Sequence, residues 1–210
     1  MKTVLFTGVT VYEDITTMKA LSKVVDQFPA VWKDSDKFVN LSMNNWMWIS
    51  LKSNWNDKVF RKARIYSLSL RDHEVVNKTF NELQKQNCIV WTAWEMLFSY
   101  SVFVVWKTLE NSTQKSQVVV NIQSLNAVTI LNAYLLSLQA NITAAVKNIF
   151  FISVMNCVSF FYQWQVYSDN RHKLTVISHW GQKSFNVAVM RFKNLPTYVQ
   201  RQIDHLLQLF

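Results

Sequence analysis

The chain has 210 residues, half of them apolar, which is enough for one sizeable core or two small ones. A net charge of +9 with 14 Phe and 9 Trp excludes a disordered acidic chain and favours a polyanionic partner, nucleic acid or an anionic membrane surface. Two glycines and two prolines beside 18 asparagines exclude every glycine-rich phosphate loop and the GxSxG nucleophile elbow.

The opening "MKTVLFTGVTVYEDI" has too short an apolar core for a signal peptide and reaches acids by Glu13. Residues 17–32 space Leu21, Val24, Val25 and Phe28 as a short amphipathic helix ending near Pro29. Residues 33–69 mix Trp, Lys, Asn and Ser without period and read as an extended, irregular arm. The stretch 71–86 puts Val75, Phe80 and Leu83 on one helical face with charges opposite. The β-branched runs 101–106 and 117–122, separated by "KTLENSTQKS", predict strand, loop, strand. A helix over 136–147 and a buried strand over 149–155 follow. The runs 174–178 and 184–189 flank "HWGQK" as a hairpin with its glycine at the turn. Pro196 opens a helix to about 208, with Val199, Ile203, Leu206 and Leu207 on its apolar face.

Charge is uneven along this order. Residues 1–110 carry 14 basic and 11 acidic side chains; residues 111–168 carry Lys115, Lys147 and no acid; residues 169–210 carry six basic and two acidic, a net +4. Between Val128 and Val166 the longest uncharged apolar run, Ile149 to Tyr162, is about 14 residues against the roughly 20 that span a bilayer. A core strand explains it better than a membrane helix. Cys88 and Cys157 have no CxxC spacing and no clustered histidines, so they read as reduced thiols of an intracellular protein, with no zinc site.

Four ordered segments carry a family likeness: "VVVNIQSLN" (118–126), "ISVMNCVSFFYQW" (152–164), "HKLTVISHWGQKSFNVAVM" (172–190) and "NLPTYVQRQIDHLL" (194–207). From about Ala20 onward the chain resembles the reverse transcriptase in the pol polyprotein of gypsy-class LTR retrotransposons, of fungal type. The resemblance implies an α+β fold, the fingers and partial palm of a right-hand polymerase. Residues 1–68 would be a connector upstream, and 69–210 the fingers and N-terminal part of the palm, ending before the family's Y-x-D-D hairpin. The implied ancestral activity is RNA-directed DNA polymerisation on an RNA/DNA template-primer, with Mg²⁺, in the cytoplasm or nucleus. No membrane partner is expected.

Carried over residue by residue, the likeness is mixed. Asn156 stands where the family has its first metal-binding aspartate, and an amide brings no charge to a divalent cation. Lys115 fits a lysine facing the nucleotide triphosphate, and Phe161 an aromatic that discriminates the sugar. Met190 and Arg191 lie at the nucleotide pocket floor, Arg191 where the family has Gly. Lys173, Lys183, Lys193 and Arg201, with Arg191, would track the nucleic-acid backbone. Gln117, Asn121 and Gln123 replace Arg, Asp and Arg; Asn126, Gln163, Trp164, Pro196 and Gln200 match. "YSDN" (167–170) imitates Y-x-D-D but comes too early and reads as a surface turn. The departures (Asp to Asn, Arg to Gln or Trp, Gly to Arg or Ser, Pro to Ser or Leu) are each reachable by C-to-T or G-to-A changes. They account together for scarce Gly and Pro and abundant Asn, as in an element copy decayed by biased mutation. The expectation is a catalytically inactive remnant that binds no metal. The alternatives are a non-catalytic basic nucleic-acid-binding protein and a membrane-associated protein built around 128–166.

Overall fold

The computed structural model describes residues 2–4, 10–12, 15–29, 42–56, 65–92, 96–110, 112–134, 136, 138–149 and 159–208. The chain divides into two compact units, Met1–Asp36 and Lys37–Phe210. In the first, β1 (Lys2–Val4) pairs antiparallel with β2 (Thr10–Tyr12), and α1 (Ile15–Gln27) follows. The helix stops as foreseen, because Pro29 disfavours the helical region for Phe28. Val25 is buried, while Leu21, Val24 and Phe28 are exposed.

The second unit opens with the expected arm, which turns out to supply core. After a 3₁₀ turn at Met43–Asn45 the chain runs extended. It bridges Met47 to Val166 and Leu51 to Thr129, and it buries Met47 and Ile49 completely. Hydrophobic periodicity misses such a segment, because single bridges impose no repeat.

α2 (Leu70–Lys85) begins at a capping box in which Ser69 and Asp72 satisfy each other's backbone N–H groups. Its buried face is Val76, Phe80 and Leu83; Val75, expected there, is only half-buried. The helix packs against three strands, β3 (Ile89–Trp91), β4 (Tyr100–Thr108) and β5 (Gln114–Val120). β4 and β5 form the predicted hairpin, in register from Val102↔Val120 to Thr108↔Gln114.

α3 (Gln123–Val128) and the exposed α4 (Gln139–Ala145) follow; α4 is shorter than the helix expected over 136–147. Ile149, the first residue of the predicted buried strand 149–155, is exposed and outside any strand; the rest of that strand, Asn156 and Cys157 lie outside the described residues. β6 (Thr175–Ser178) and β7 (Gly181–Phe185) complete a five-stranded sheet in the order β3-β7-β6-β4-β5.

Two expectations need correction here, the extent of β7 and the reading of "YSDN", and the mainly antiparallel sheet carries one parallel pair. β7 runs over 181–185, not 184–189: the pair Ser178↔Gly181 closes the hairpin tightly around His179 and Trp180, and that register fixes where pairing begins. Residues beyond Phe185 leave this ladder, with Val187 bridging Gln165. The sheet is mixed, because β4 runs parallel to β6 through Tyr100↔Val176 and Ser101↔Ile177. "YSDN" is more than a surface turn: Ser168–Leu174 is a 3₁₀ helix in which Asn170 is fully buried, its Oδ1 accepting from Lys173 Nζ at 2.6 Å.

α5 (Leu195–Leu207) starts where Pro196 predicts, burying Leu195, Tyr198 and Val199 and leaving Leu207 exposed. Asn194 ties its start to the preceding loop, accepting from Asn132 N–H at 3.1 Å and donating to Ile130 C=O at 2.7 Å. The core gathers Ile49, Phe80, Ile89, Phe98, Trp164 and Phe192. Among the described residues no helix is long and apolar enough to cross a membrane.

Candidate nucleic-acid interface

A cleft of about 510 Å³ opens between the start of α2, the β4–β5 hairpin, α3 and Arg191. Its apolar wall is Leu68, Phe103, Val104, Val120 and Ile122; its polar wall is largely amide, from Asn121, Gln123 and Asn126. Tyr66 meets Phe103 edge-on at 5.9 Å, and its hydroxyl oxygen accepts from Asn121 Nδ2 at 3.1 Å. Asn121 Oδ1 in turn accepts from Gln123 N–H at 3.4 Å, at the first turn of α3. The rim is therefore held by side chains from three separate segments.

The floor is set by Asn126. Its Nδ2 donates to Arg191 C=O at 2.8 Å, and its Oδ1 accepts from Lys193 N–H at 2.9 Å. This pair of hydrogen bonds fixes a turn in which Arg191 sits at φ 73°, the left-handed region that glycine occupies freely. The resemblance implies Gly at this position, and the backbone conformation here is one that suits Gly.

Asp72 brings the cleft its one carboxylate among the described residues. It accepts from Trp106 Nε1 at 2.8 Å, from Ser69 Oγ at 2.8 Å and from Ser69 N–H at 3.2 Å. The Trp106 bond first, then those from Ser69, hold its carboxyl below the ordinary 3.8. Arg71 lies 3.6 Å over the Trp106 ring and donates to Gln114 Oε1 at 2.7 Å.

Of the residues singled out from sequence, the structure brings Arg191, Asn121, Gln123 and Asn126 together. Met190 adjoins them, its sulfur accepting from Gln117 Nε2 at 3.4 Å across from β5. Lys115 is exposed on β5, opposite Lys107. Phe161 lies in a 3₁₀ turn, Phe160–Gln163, half-buried and outside the cleft lining.

The basic residues divide. Lys173 donates to Ile49 C=O at 2.8 Å, and Lys193 donates to Thr129 C=O. Lys183 is 4% exposed, donates to Gln84 Oε1 at 3.0 Å, and lies 4.3 Å over the Trp91 ring. Burial lowers the pKa of all three, with Lys52 adding to the effect at Lys193. Arg201 is exposed and donates to Asn132 Oδ1 at 3.0 Å, beside Tyr134. Arg191 is exposed.

Sequence reasoning missed Tyr66, Phe103 and Asp72. Only Asp72 had a local signal, the S-x-x-D capping pattern at 69–72.

The donor set does not fit a pair of Mg²⁺ ions. Among the described residues Asp72 is the single carboxylate of the cleft, and its oxygens already accept from Trp106 and Ser69. Elsewhere Asp204 accepts from Tyr134 Oη at 2.6 Å and Gln200 Nε2 at 2.7 Å, and Asp169 from Ser168 Oγ. Among the described residues no three His, Cys, Asp or Glu side chains cluster.

No protein-family model matches the chain, and no curated protein matches it significantly. Solved structures do. One similar structure is a crystal structure of a mutant prototype foamy virus protease-reverse transcriptase, with a TM-score of 0.75 and 14% sequence identity. The likeness covers 94% of this chain and 25% of that one, so the chain spans a quarter of that protein's length. At this identity the likeness lies in the fold, a mixed α+β arrangement like that of a retroviral reverse transcriptase.

Proposed function

We propose that the chain is a remnant of a retrotransposon reverse transcriptase of gypsy class and fungal type. In this reading it comprises fingers and part of the palm and binds nucleic acid without polymerising it. The observation that carries the proposal is the cleft in which Asn121, Gln123, Asn126 and Arg191 converge on a reverse-transcriptase-like fold. Amide groups offer paired donors and acceptors to a base edge, and Tyr66 and Phe103 offer aromatic surface. Arg191 adds one cation at the rim. Such a cleft suits a nucleobase of a template or primer strand and lacks the charge to hold a triphosphate.

Inactivity follows from charge. Nucleotidyl transfer by two divalent cations needs several carboxylates to neutralise and position them. Asn156 supplies an amide at the position of the first, and residues 111–168 contain no acid at all.

The test is two measurements on the purified chain. Primer extension on a primed RNA template, with Mg²⁺ or Mn²⁺, should give no product, and Asn156→Asp alone should not restore it. An RNA–DNA hybrid should shift in a salt-dependent way, and Tyr66→Ala should weaken the shift. Metal-dependent extension that survives a control for contaminating polymerase overturns the first half; an unshifted hybrid overturns the second. The alternative of a basic nucleic-acid-binding protein kept by the host shares the second outcome and draws on the same cleft.

A further inference from the structure

The chain exposes two tryptophans that the cleft does not use, Trp180 at the β6–β7 turn and Trp91 at the end of β3 beside it. Trp180 is 62% exposed and Trp91 50%. Leaving indoles in water forfeits the burial that normally pulls them inward. These two are nevertheless held in place. Trp180 Nε1 donates to Asn77 Oδ1 on α2, and its ring tilts against His179 at 5.3 Å. His179 stacks on His73 of α2, with centroids 4.0 Å apart and planes 3° from parallel.

Trp91, paired in register with Lys183, carries that residue's ammonium 4.3 Å from its ring centre. Gly181, at φ 115°, lies beneath it: a Cβ there would come 3.5 Å from the indole edge. The turn thus accepts both a glycine-only conformation and the large ring laid against it.

We propose that Trp91, against Gly181, and Trp180, its chain neighbour, form a stacking platform for the bases of a single-stranded nucleic acid. Every base has a flat π-face, so two fixed indoles receive successive bases without regard to sequence. Charge selects this occupant. Lys183, Asn77 and His179 touch the two rings, and none of them is acidic, on a chain of net charge +9. The Lys183 ammonium over one face of Trp91 adds positive potential beside the platform. The platform shares no residue with the Tyr66–Arg191 cleft, so the two surfaces are tested apart.

The experiment uses the full chain with oligo(dT) and oligo(U) of 15 nucleotides. Trp91→Ala and Trp180→Ala should each weaken binding about 10-fold, and Trp180→Phe, which keeps a ring, by much less. In the unsubstituted chain, photo-cross-links from 5-iodouracil placed in the same oligonucleotides should map to Trp91 or Trp180; this arm does not depend on a variant folding. Four results overturn the proposal: no binding of either oligonucleotide, unchanged affinity in the double Ala variant, cross-links confined to the cleft, or oligonucleotide-independent dimers that Trp180→Ala dissociates. Loss of binding in Tyr66→Ala with full binding in the tryptophan variants would leave the cleft standing and remove the platform.

Discussion

Arg191→Gly should stabilise the protein. An L-residue at positive φ costs about 1–2 kcal/mol against the right-handed region, and Arg191 stands at φ 73°. Glycine removes that cost but gains freedom in the unfolded chain, which takes back about 0.5–1 kcal/mol. The net gain is about 0.5–1 kcal/mol, a rise in Tm of roughly 1–4 °C for a chain of this size. Thermal unfolding followed by circular dichroism or calorimetry reads it directly. Arg191→Ala is the control: it deletes the guanidinium yet keeps the Cβ and its strain, so its Tm should not rise. Asn126→Ala, which removes the bonds to Arg191 C=O and Lys193 N–H, should cost about 1–3 kcal/mol. That cost should change when the turn is already relaxed by glycine, a coupling that a double-mutant cycle measures. A fall in Tm for Arg191→Gly, or an equal rise for Arg191→Ala, would refute the reasoning, because the arginine would then be stabilising through its side chain.

Ile49→Ala empties a fully buried site in the arm and should cost about 2–5 kcal/mol in urea unfolding; a loss under 1 kcal/mol would detach the arm from the core. Asp72→Asn should lower Tm at pH 7, and the difference from the parent should shrink with acid. The carboxyl is held below its ordinary 3.8, so its contribution is present above that value and lost as pH falls through the lower folded one. A difference that grows in acid would contradict the Trp106 and Ser69 bonds as its source. Salt titrations of nucleic-acid binding should lose more slope on Arg191→Ala than on Lys173→Ala, since Lys173's ammonium is already bonded to Ile49 C=O and Asn170. The gene should show excess C-to-T and G-to-A differences from intact copies of its element; an even spectrum would remove decay as the reason for so many asparagines.

Elements with a strong period were legible. α2 and α5 show an apolar stripe and a start signal, and the β4–β5 hairpin shows two β-branched runs around a polar loop. Register was not legible: the pair Ser178↔Gly181 moved β7 three residues toward the turn, and no periodicity encodes that choice. Met47 and Ile49 were missed because a strand held by isolated bridges repeats nothing. Asn170 was read as surface because "YSDN" comes too early for the family's Y-x-D-D hairpin, yet it is fully buried in a 3₁₀ helix and bonded to Lys173. In the cleft, Asn121, Gln123, Asn126 and Arg191 were found through the family likeness, whereas Tyr66 and Phe103 converge only in three dimensions.

The parallel β4–β6 pair also bears on how the chain is made. Ser101 finds its partner Ile177 about 76 residues later in the chain. At about 5–20 residues per second, a ribosome needs roughly 4–15 s to deliver that partner. Once Val120 has been made, about 57 residues before Ile177, the β4–β5 hairpin has one ladder complete and one open, with "SVFVVW" on the open strand. Apolar strand edges of that kind recruit other chains. The nascent polypeptide is therefore most exposed to aggregation midway through synthesis, and a stop codon between 120 and 175 would release it in that state.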